Sequence, residues 1–84
     1  MKRLTVTAAQ KCNMIGSKVK QFRIEQKLSQ QTLSDRLETE AIYICRGSIS
    51  RIEDGSRTVT DIELYGLSKV LHKPLEDFFE DYPF

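Results

Sequence analysis

The chain contains few histidines, cysteines and prolines, and it lacks any long apolar segment. Its 84 residues include one His, two Cys and two Pro. No run approaches the roughly 20 apolar residues that cross a bilayer. No apolar stretch follows the basic start Met1-Lys2-Arg3, as a signal peptide would require. The sequence therefore predicts one small domain without a membrane span, and we expect it in the cytoplasm.

The few side chains suited to metal binding or nucleophilic chemistry are poorly placed. Cys12 and Cys45 lack C-x-x-C spacing, and His72 lies far from both, which disfavours a zinc site. Two cysteines are enough for one disulfide, but in a cytosolic chain we expect two free thiols. The sequence has no phosphate-cradling glycine loop and no Cys–His pair. We therefore expect no catalytic residue, no metal, no cofactor and no enzyme activity.

Charge is unevenly distributed along the chain. Residues 1–57 carry 11 Lys or Arg against six Asp or Glu, a net charge of +5. Residues 58–84 carry two against six, a net charge of −4. A basic region of this kind attracts phosphate and speeds encounter with nucleic acid, although an ordinary solvated surface is the alternative.

Apolar spacing and polar caps predict five helices. The first should run over Met14–Lys27 with Asn13 as its cap, and Ser29 should cap the second. The third should span Arg46–Glu53 and stop at Asp54-Gly55, where glycine can take a positive φ. The residues expected to be buried in these three helices are Ile15, Val19, Phe22, Leu33, Leu37, Ile49 and Ile52.

A capping box marks the predicted start of the fourth helix, and a short fifth helix comes after it. Thr60-Asp61-Ile62-Glu63 should open the fourth helix, which runs to Leu71 and ends at His72 as a polar cap. Pro74 should open a short fifth helix at its permitted first position. The residues expected to be buried here are Leu64, Leu67, Leu71, Leu75, Phe78 and Phe79.

Two segments carry a resemblance to a known family. Leu28-Ser29-Gln30 with Leu33-Ser34 marks the first, and Ser48-Ile49-Ser50-Arg51-Ile52-Glu53 with Gly55 marks the second. From Ile15 to Phe79 the chain resembles the phage repressor and Cro-like helix-turn-helix family (lambda-repressor-like, XRE-type) of DNA-binding regulators. The resemblance implies a compact all-α, five-helix domain whose second and third helices form the helix-turn-helix.

The chain departs from the family pattern in two places. Residues 38–44 extend the connection between the second and third helices, and Cys45 stands where Ser or Thr often caps the third. The alternation Ile42-Tyr43-Ile44 predicts two buried isoleucines and one exposed ring. That ring either covers the inserted turn or flanks a DNA backbone.

The resemblance places the third helix in a DNA major groove, with its first turn at the bases. Arg46 and Arg51 are then the expected base readers, because Arg matches the O6 and N7 atoms of guanine. Gly47 would permit close approach of the backbone to DNA. Ser48 and Ser50 could bond a base edge or a phosphate.

Four further residues are expected at the DNA backbone. The unpaired N–H groups that begin the second helix suit a phosphate, and the amides of Gln30 and, more weakly, Gln31 would add to them. Ser56 and Arg57 follow the third helix and would set register without reading sequence.

The resemblance also pairs Arg23 with Glu53. This structural ion pair would lock the third helix onto the first, and it would orient the reading helix without touching bases. For Arg51, the alternative to DNA contact is a surface ion pair with Glu38 or Asp54.

The combined expectation is a sequence-specific regulator of transcription that binds double-stranded DNA, with a repressor favoured, encoded by a bacterium or a phage. The alternative is a protein-interaction or antitoxin-like module on the same fold. The domain would cover residues 13–79, between an arm at 1–12 and a tail at 80–84, with no room for a small-molecule domain. Tyr82 and Phe84 form either an apolar patch for a homodimer or part of a frayed end.

Overall fold

Four α-helices and one short 3₁₀ helix make up the described part of the chain. The computed structural model describes residues 11–83, so most of the predicted arm and Phe84 lie outside it. No strand occurs in residues 11–83, and the all-α prediction is confirmed. None of the helices in this range is long and apolar enough to cross a membrane. The elements are α1 (Gly16–Glu25), α2 (Gln30–Thr39), α3 (Arg46–Asp54), α4 (Asp61–Leu71) and the 3₁₀ helix (Leu75–Phe79).

Side-chain caps begin α2 and α4 where the sequence predicts them. Ser29 Oγ accepts a hydrogen bond from the N–H of Thr32 at 3.0 Å. Thr60 Oγ1 accepts from the N–H of Glu63 at 3.1 Å, and Glu63 Oε1 accepts from the N–H of Thr60 at 3.0 Å. Gly55 ends α3 with a φ of 84°, the left-handed conformation that glycine adopts without strain. The predicted cap, capping box and helix stop are therefore confirmed.

The first helix is shorter than the predicted Met14–Lys27. It begins at Gly16 because Asn13 Oδ1 accepts from the N–H groups of Ile15 and Gly16, at 3.0 and 2.7 Å, and holds the chain before the helix in a turn. Its last turn stops short of Lys27, which takes a positive φ of 58°. The N-cap residue of α1 is therefore Ile15, which makes no side-chain cap bond, and the prediction of Asn13 as the cap is wrong, although Asn13 holds the turn that precedes the helix.

The predicted fifth helix is a 3₁₀ helix rather than an α-helix. The carbonyl of Pro74 accepts from the N–H of Asp77 at 3.0 Å, a bond that spans three residues instead of four. In this tighter coil Leu75 is 45% exposed, so its predicted place in the core is wrong. Phe78 is buried edge-on against Phe22, with ring centroids 5.2 Å apart.

The apolar faces of all these elements meet in a single cluster in the described range. Leu64 and Phe79 lie partly buried at its edge, less deeply than predicted. The buried members are Ile15, Val19, Phe22, Leu28, Leu33, Leu37, Ile42, Ile44, Ile49, Ile52, Leu67, Val70, Leu71 and Phe78.

The long connection between α2 and α3 is anchored by its two isoleucines. Ala41 takes a φ of 61°. The N–H of Ile42 donates to the carbonyl of Leu37 at 3.0 Å, which turns the chain back over the end of α2. Ile42 and Ile44 are buried while Tyr43 is 75% exposed, so the predicted alternation is confirmed.

Gly16 lets the start of α1 come very close to the end of α3. A Cβ atom at this position would collide with the carbonyl oxygen of Ile52 and would lie 3.1 Å from that of Glu53. Backbone oxygens in a helix cannot move aside as a flexible side chain can. The absence of a side chain at Gly16 therefore sets how α3 lies against α1.

We expect Gly16→Ala to lower the free energy of unfolding by about 1–3 kcal/mol, the usual cost of overpacking a well-packed contact. Gly47→Ala is the matched control, because a Cβ there would meet only Arg51 Nη1, at 3.7 Å. Replacing that helical glycine should stabilise the protein by up to about 1 kcal/mol. Urea unfolding followed by circular dichroism measures both; equal stabilities for the two variants would contradict the close approach.

Candidate nucleic-acid interface

The third helix has a fully buried side and an exposed side. Ile49 and Ile52 are buried in the core and fix the orientation of α3 about its own axis. Each of the predicted DNA-contacting residues of α3 is exposed except Ser48, which is half-buried. In chain order they are Arg46, Gly47, Ser48, Ser50 and Arg51. The structure therefore brings all five to the outer side of one anchored helix.

The guanidinium of Arg51 folds back along the first turn of α3. Its Nη2 donates to Ser48 Oγ at 3.1 Å, and its Nη1 would lie 3.7 Å from a Cβ atom on Gly47. The alternative ion pair with Glu38 or Asp54 does not occur in residues 11–83. Arg51 is thus oriented by a neutral hydroxyl, and its charge is not neutralised by a carboxylate in contact with it.

Cys45 immediately precedes α3, and its thiol is exposed. The sequence alone indicated no role for this thiol. It makes no side-chain cap bond, and its Sγ donates to Ser48 Oγ at 3.4 Å. The hydrogen bond with the Ser48 hydroxyl lowers the pKa of the thiol, with smaller contributions from the N–H groups of Ser48 and Gly47 and from the charge of Arg51. The one signal for this in the sequence is Cys at a position where Ser or Thr is common. Cys12 and Cys45 are both free thiols.

Arg23 and Glu53 form a two-point ion pair between α1 and α3. Arg23 Nε donates to Glu53 Oε2 at 2.6 Å, and Nη2 donates to Oε1 at 3.0 Å. Their side chains are only 11% and 4% exposed, and Arg23 Nη1 also donates to the carbonyl of Leu28 at 2.8 Å. The hydrogen bond with Glu53 raises the pKa of Arg23. Because both side chains are buried, each charge is compensated only when Arg23 and Glu53 contact each other.

The two glutamines at the start of α2 donate to carboxylates within the chain. Gln30 Nε2 donates to Glu53 Oε1 at 3.1 Å, which joins the start of α2 to the Arg23–Glu53 pair. Gln31 Nε2 donates to Asp35 Oδ1 at 2.9 Å, one turn along the same helix. Sequence reasoning missed both partners. Each amide nitrogen has two N–H donors, so one donor on each glutamine is still free for an outside acceptor.

Arg57 makes hydrogen bonds within the chain that the sequence does not indicate. Its Nη1 and Nη2 donate to the two carboxylate oxygens of Glu63 at 2.9 and 2.8 Å, and Nη1 also donates to the carbonyl of Thr58 at 2.9 Å. The hydrogen bond from Arg57 lowers the pKa of Glu63. Ser56 Oγ donates to Asp54 Oδ1 at 2.7 Å and so stabilises the turn that leaves α3.

The tail is tied to α1 by a buried lysine. Lys18 Nζ pairs with Glu80 at 2.5 Å and with Asp81 at 3.7 Å, and the hydrogen bond with Glu80 raises its pKa. Tyr82 is half-buried. The ion pairs therefore hold Glu80 and Asp81 against α1, and Tyr82 is partly covered, while Phe84 lies outside the described residues.

Comparisons with known proteins concern this same region. A helix-turn-helix family model matches residues 19–78, which include α2 and α3. A search of curated proteins finds no match. Among solved structures, a crystal structure of Bacillus thuringiensis PlcR in complex with the peptide PapR7 and DNA is similar to this chain, with 27% identity and a TM-score of 0.67. The similarity covers 84% of this chain but only 23% of the PlcR chain.

Removing Arg23 should cost much more stability than removing an exposed partner. Arg23→Ala leaves the Glu53 carboxylate buried without its cation, and we expect a loss of about 3 kcal/mol in the free energy of unfolding. Lys69→Ala is the control, because the Lys69–Glu40 pair, at 2.8 Å, is largely exposed and should contribute less than about 1 kcal/mol. Similar losses in urea unfolding would show that the Arg23–Glu53 pair does not hold α3 in place.

Proposed function

The chain belongs to the helix-turn-helix family, and from that premise we propose that it is a sequence-specific regulator of transcription that binds double-stranded DNA through α3. In this proposal α3 enters the major groove, and the protein acts as a repressor in the cytoplasm of a bacterium or of a phage-infected cell. It needs no catalytic group, metal or cofactor. The PlcR structure, which contains DNA, supports DNA binding by a domain of this fold.

One observation carries the proposal: the arginines of the domain differ in their partners. Arg23 and Arg57 are paired with carboxylates, whereas Arg46 and Arg51, on the outer side of α3, have no carboxylate within ion-pair distance in residues 11–83. An exposed guanidinium with its donors available suits two parallel hydrogen bonds to the O6 and N7 atoms of guanine. Arg36 also lacks a carboxylate partner but lies on α2, so we assign base reading to Arg46 and Arg51, which lie on the outer side of α3.

The remaining residues of α3 support close contact with the groove. Adding a Cβ at Gly47 would create only one ordinary contact, so the fold itself does not require glycine there. A glycine that the fold does not need fits a role in close backbone approach to DNA. Ser48 and Ser50 supply hydroxyls for a base edge or a phosphate.

Backbone contacts are assigned to Gln30, Gln31, Ser56 and Arg57. The start of α2 offers its helix-dipole end, and each glutamine keeps one amide N–H for a phosphate. Arg57 is the weaker candidate, because Glu63 and Thr58 take three of the five donors of its guanidinium. These contacts would fix the register of α3 without reading sequence.

Selection of bound duplexes from a random pool at moderate salt tests the proposal. We expect an enriched motif that relaxes at particular positions in Arg46→Ala and Arg51→Ala, with a cost of about 1–3 kcal/mol for each lost two-point contact. Arg36→Ala is the matched control, because it removes an exposed arginine from α2 rather than α3. Affinity for the enriched duplex should also fall steeply as salt rises.

The form of the motif also reports the oligomeric state. Two symmetric half-sites about 34 Å apart would indicate a homodimer, since a two-fold protein reads a two-fold site. No enrichment by folded wild-type protein would contradict DNA reading. The protein-interaction or antitoxin-like module would then be the better description of the chain.

A further inference from the structure

A groove of about 390 Å³ lies beside the start of α3. It runs between the outer side of α2 and the end of the long connection, and it opens to solvent. Its walls are formed by Ser34, Glu38, Tyr43, Ile44, Cys45 and Ser48. None of the functions assigned above uses Glu38, Tyr43 or Cys45.

The position of Tyr43 at the rim of this groove is fixed by the backbone on both sides of it. Ile42 and Ile44 are buried in the core, and Ser34 Oγ donates to the carbonyl of Ile44 at 2.6 Å. The ring itself is 75% exposed, so it contributes little to the core. The ring is therefore available for contact with a partner.

The groove is continuous with the side of α3 that we assign to DNA bases. Cys45 immediately precedes α3, and Ser48 lies in its first turn. Ser48 Oγ accepts from Arg51 Nη2 at 3.1 Å, so the same side chain belongs to the groove and to the base-reading surface. A duplex that places its bases against Arg46 and Arg51 would therefore lie next to the groove.

The chemistry of the groove favours a base edge over a phosphate. None of the described residues that line it is a Lys or Arg, and Glu38 adds a carboxylate that would repel a phosphate. The Tyr43 ring provides an apolar wall, and the Cys45 thiol, which is hydrogen-bonded to Ser48, lies beside it. In the major groove, an A·T pair displays the C5-methyl group of thymine and the N6 amino group of adenine. Cytosine also presents an amino donor, N4, which a carboxylate accepts, so it is the thymine methyl group against the Tyr43 ring that favours A·T over G·C.

We propose that this groove takes the major-groove edge of an A·T base pair next to the bases read by Arg46 and Arg51. The Tyr43 ring contacts the thymine methyl group, and Glu38 accepts a hydrogen bond from the adenine N6 amino group. The long connection between α2 and α3 thereby adds a second reading element to the helix-turn-helix. This inference rests on the proposed DNA binding through α3.

Replacing thymines one at a time by deoxyuridine in the enriched duplex tests the contact, because the exchange removes only the methyl group. We expect wild-type affinity to fall about fourfold at one thymine for each bound copy of the domain, the factor that corresponds to about 0.8 kcal/mol for one buried methyl group. Tyr43→Ala should bind the thymine and deoxyuridine duplexes equally, whereas Tyr43→Phe should keep the difference. Fluorescence anisotropy at fixed salt gives both affinities, and the comparison forms a double-mutant cycle.

Tyr65→Ala is the matched control. It removes another exposed tyrosine, from α4, that does not line the groove, and it should keep the full sensitivity to deoxyuridine. Since Tyr43 is largely exposed, Tyr43→Ala should fold as the wild type does, which far-ultraviolet circular dichroism checks. Exchanging the paired adenine for purine removes the N6 amino group, and it should lower the affinity of the wild type more than that of Glu38→Ala.

The failures of the two proposals are distinguishable. An enriched motif with no A·T pair beside the arginine-dependent positions would overturn the inference while DNA reading stands. Equal affinity of wild type for every deoxyuridine duplex, or an undiminished difference in Tyr43→Ala, would do the same. Failure to enrich any motif would overturn DNA reading and this inference together.

Discussion

The ion pair between Arg23 and Glu53 is the interaction on which the arrangement of the domain depends. It joins α1 to α3 through two hydrogen bonds, and the same carboxylate accepts from Gln30 at the start of α2. A buried carboxylate is costly unless its acceptors are satisfied, so these three helices meet in one favourable geometry. Gly16 complements the pair by letting α1 approach the backbone of α3. The orientation of α3 is thus set by contacts on its inner side, and the side chains on its outer side are not needed to hold the helix in place.

That separation explains how a domain this small can combine a packed core with unpaired arginines on the outer side of α3. Charged side chains that position elements are paired: Arg23 with Glu53, Arg57 with Glu63, and Lys18 with Glu80. Arg46 and Arg51 lie on α3 outside this set, where desolvation by a partner such as DNA would be offset by new charge-assisted hydrogen bonds. The long connection before α3 follows the same rule, because its isoleucines are buried and its tyrosine is exposed.

Local sequence signals predicted the helices where one side chain decides the outcome. Ser29, the capping box of Thr60 and Glu63, and the positive φ of Gly55 each follow from a bond or conformation that a few adjacent residues determine. Prediction failed where distant residues compete. Asn13 also donates to the carbonyls of Ile52 and Arg57, at 3.1 and 2.8 Å, which fixes it before the start of α1.

The same limit applies to the candidate site. The exposed side of α3 could be predicted from the spacing of Ile49 and Ile52 alone. The engagement of Arg57 with Glu63, and of Gln30 with Glu53, could not, because it depends on how α4 and α3 come to lie beside those residues. The groove at Tyr43 arises from the path of an inserted segment, and neither composition nor helical periodicity reports that path.

We propose above that guanidinium groups on α3 read bases in the major groove. Exchanging each guanine of the enriched duplex for 7-deazaguanine tests it most directly, because this removes the N7 acceptor from the major groove and leaves Watson–Crick pairing intact. We expect the exchange to weaken wild-type binding at specific guanines and to cause no further weakening at those guanines in Arg46→Ala or Arg51→Ala. Wild-type binding that is unaffected at every guanine would contradict it.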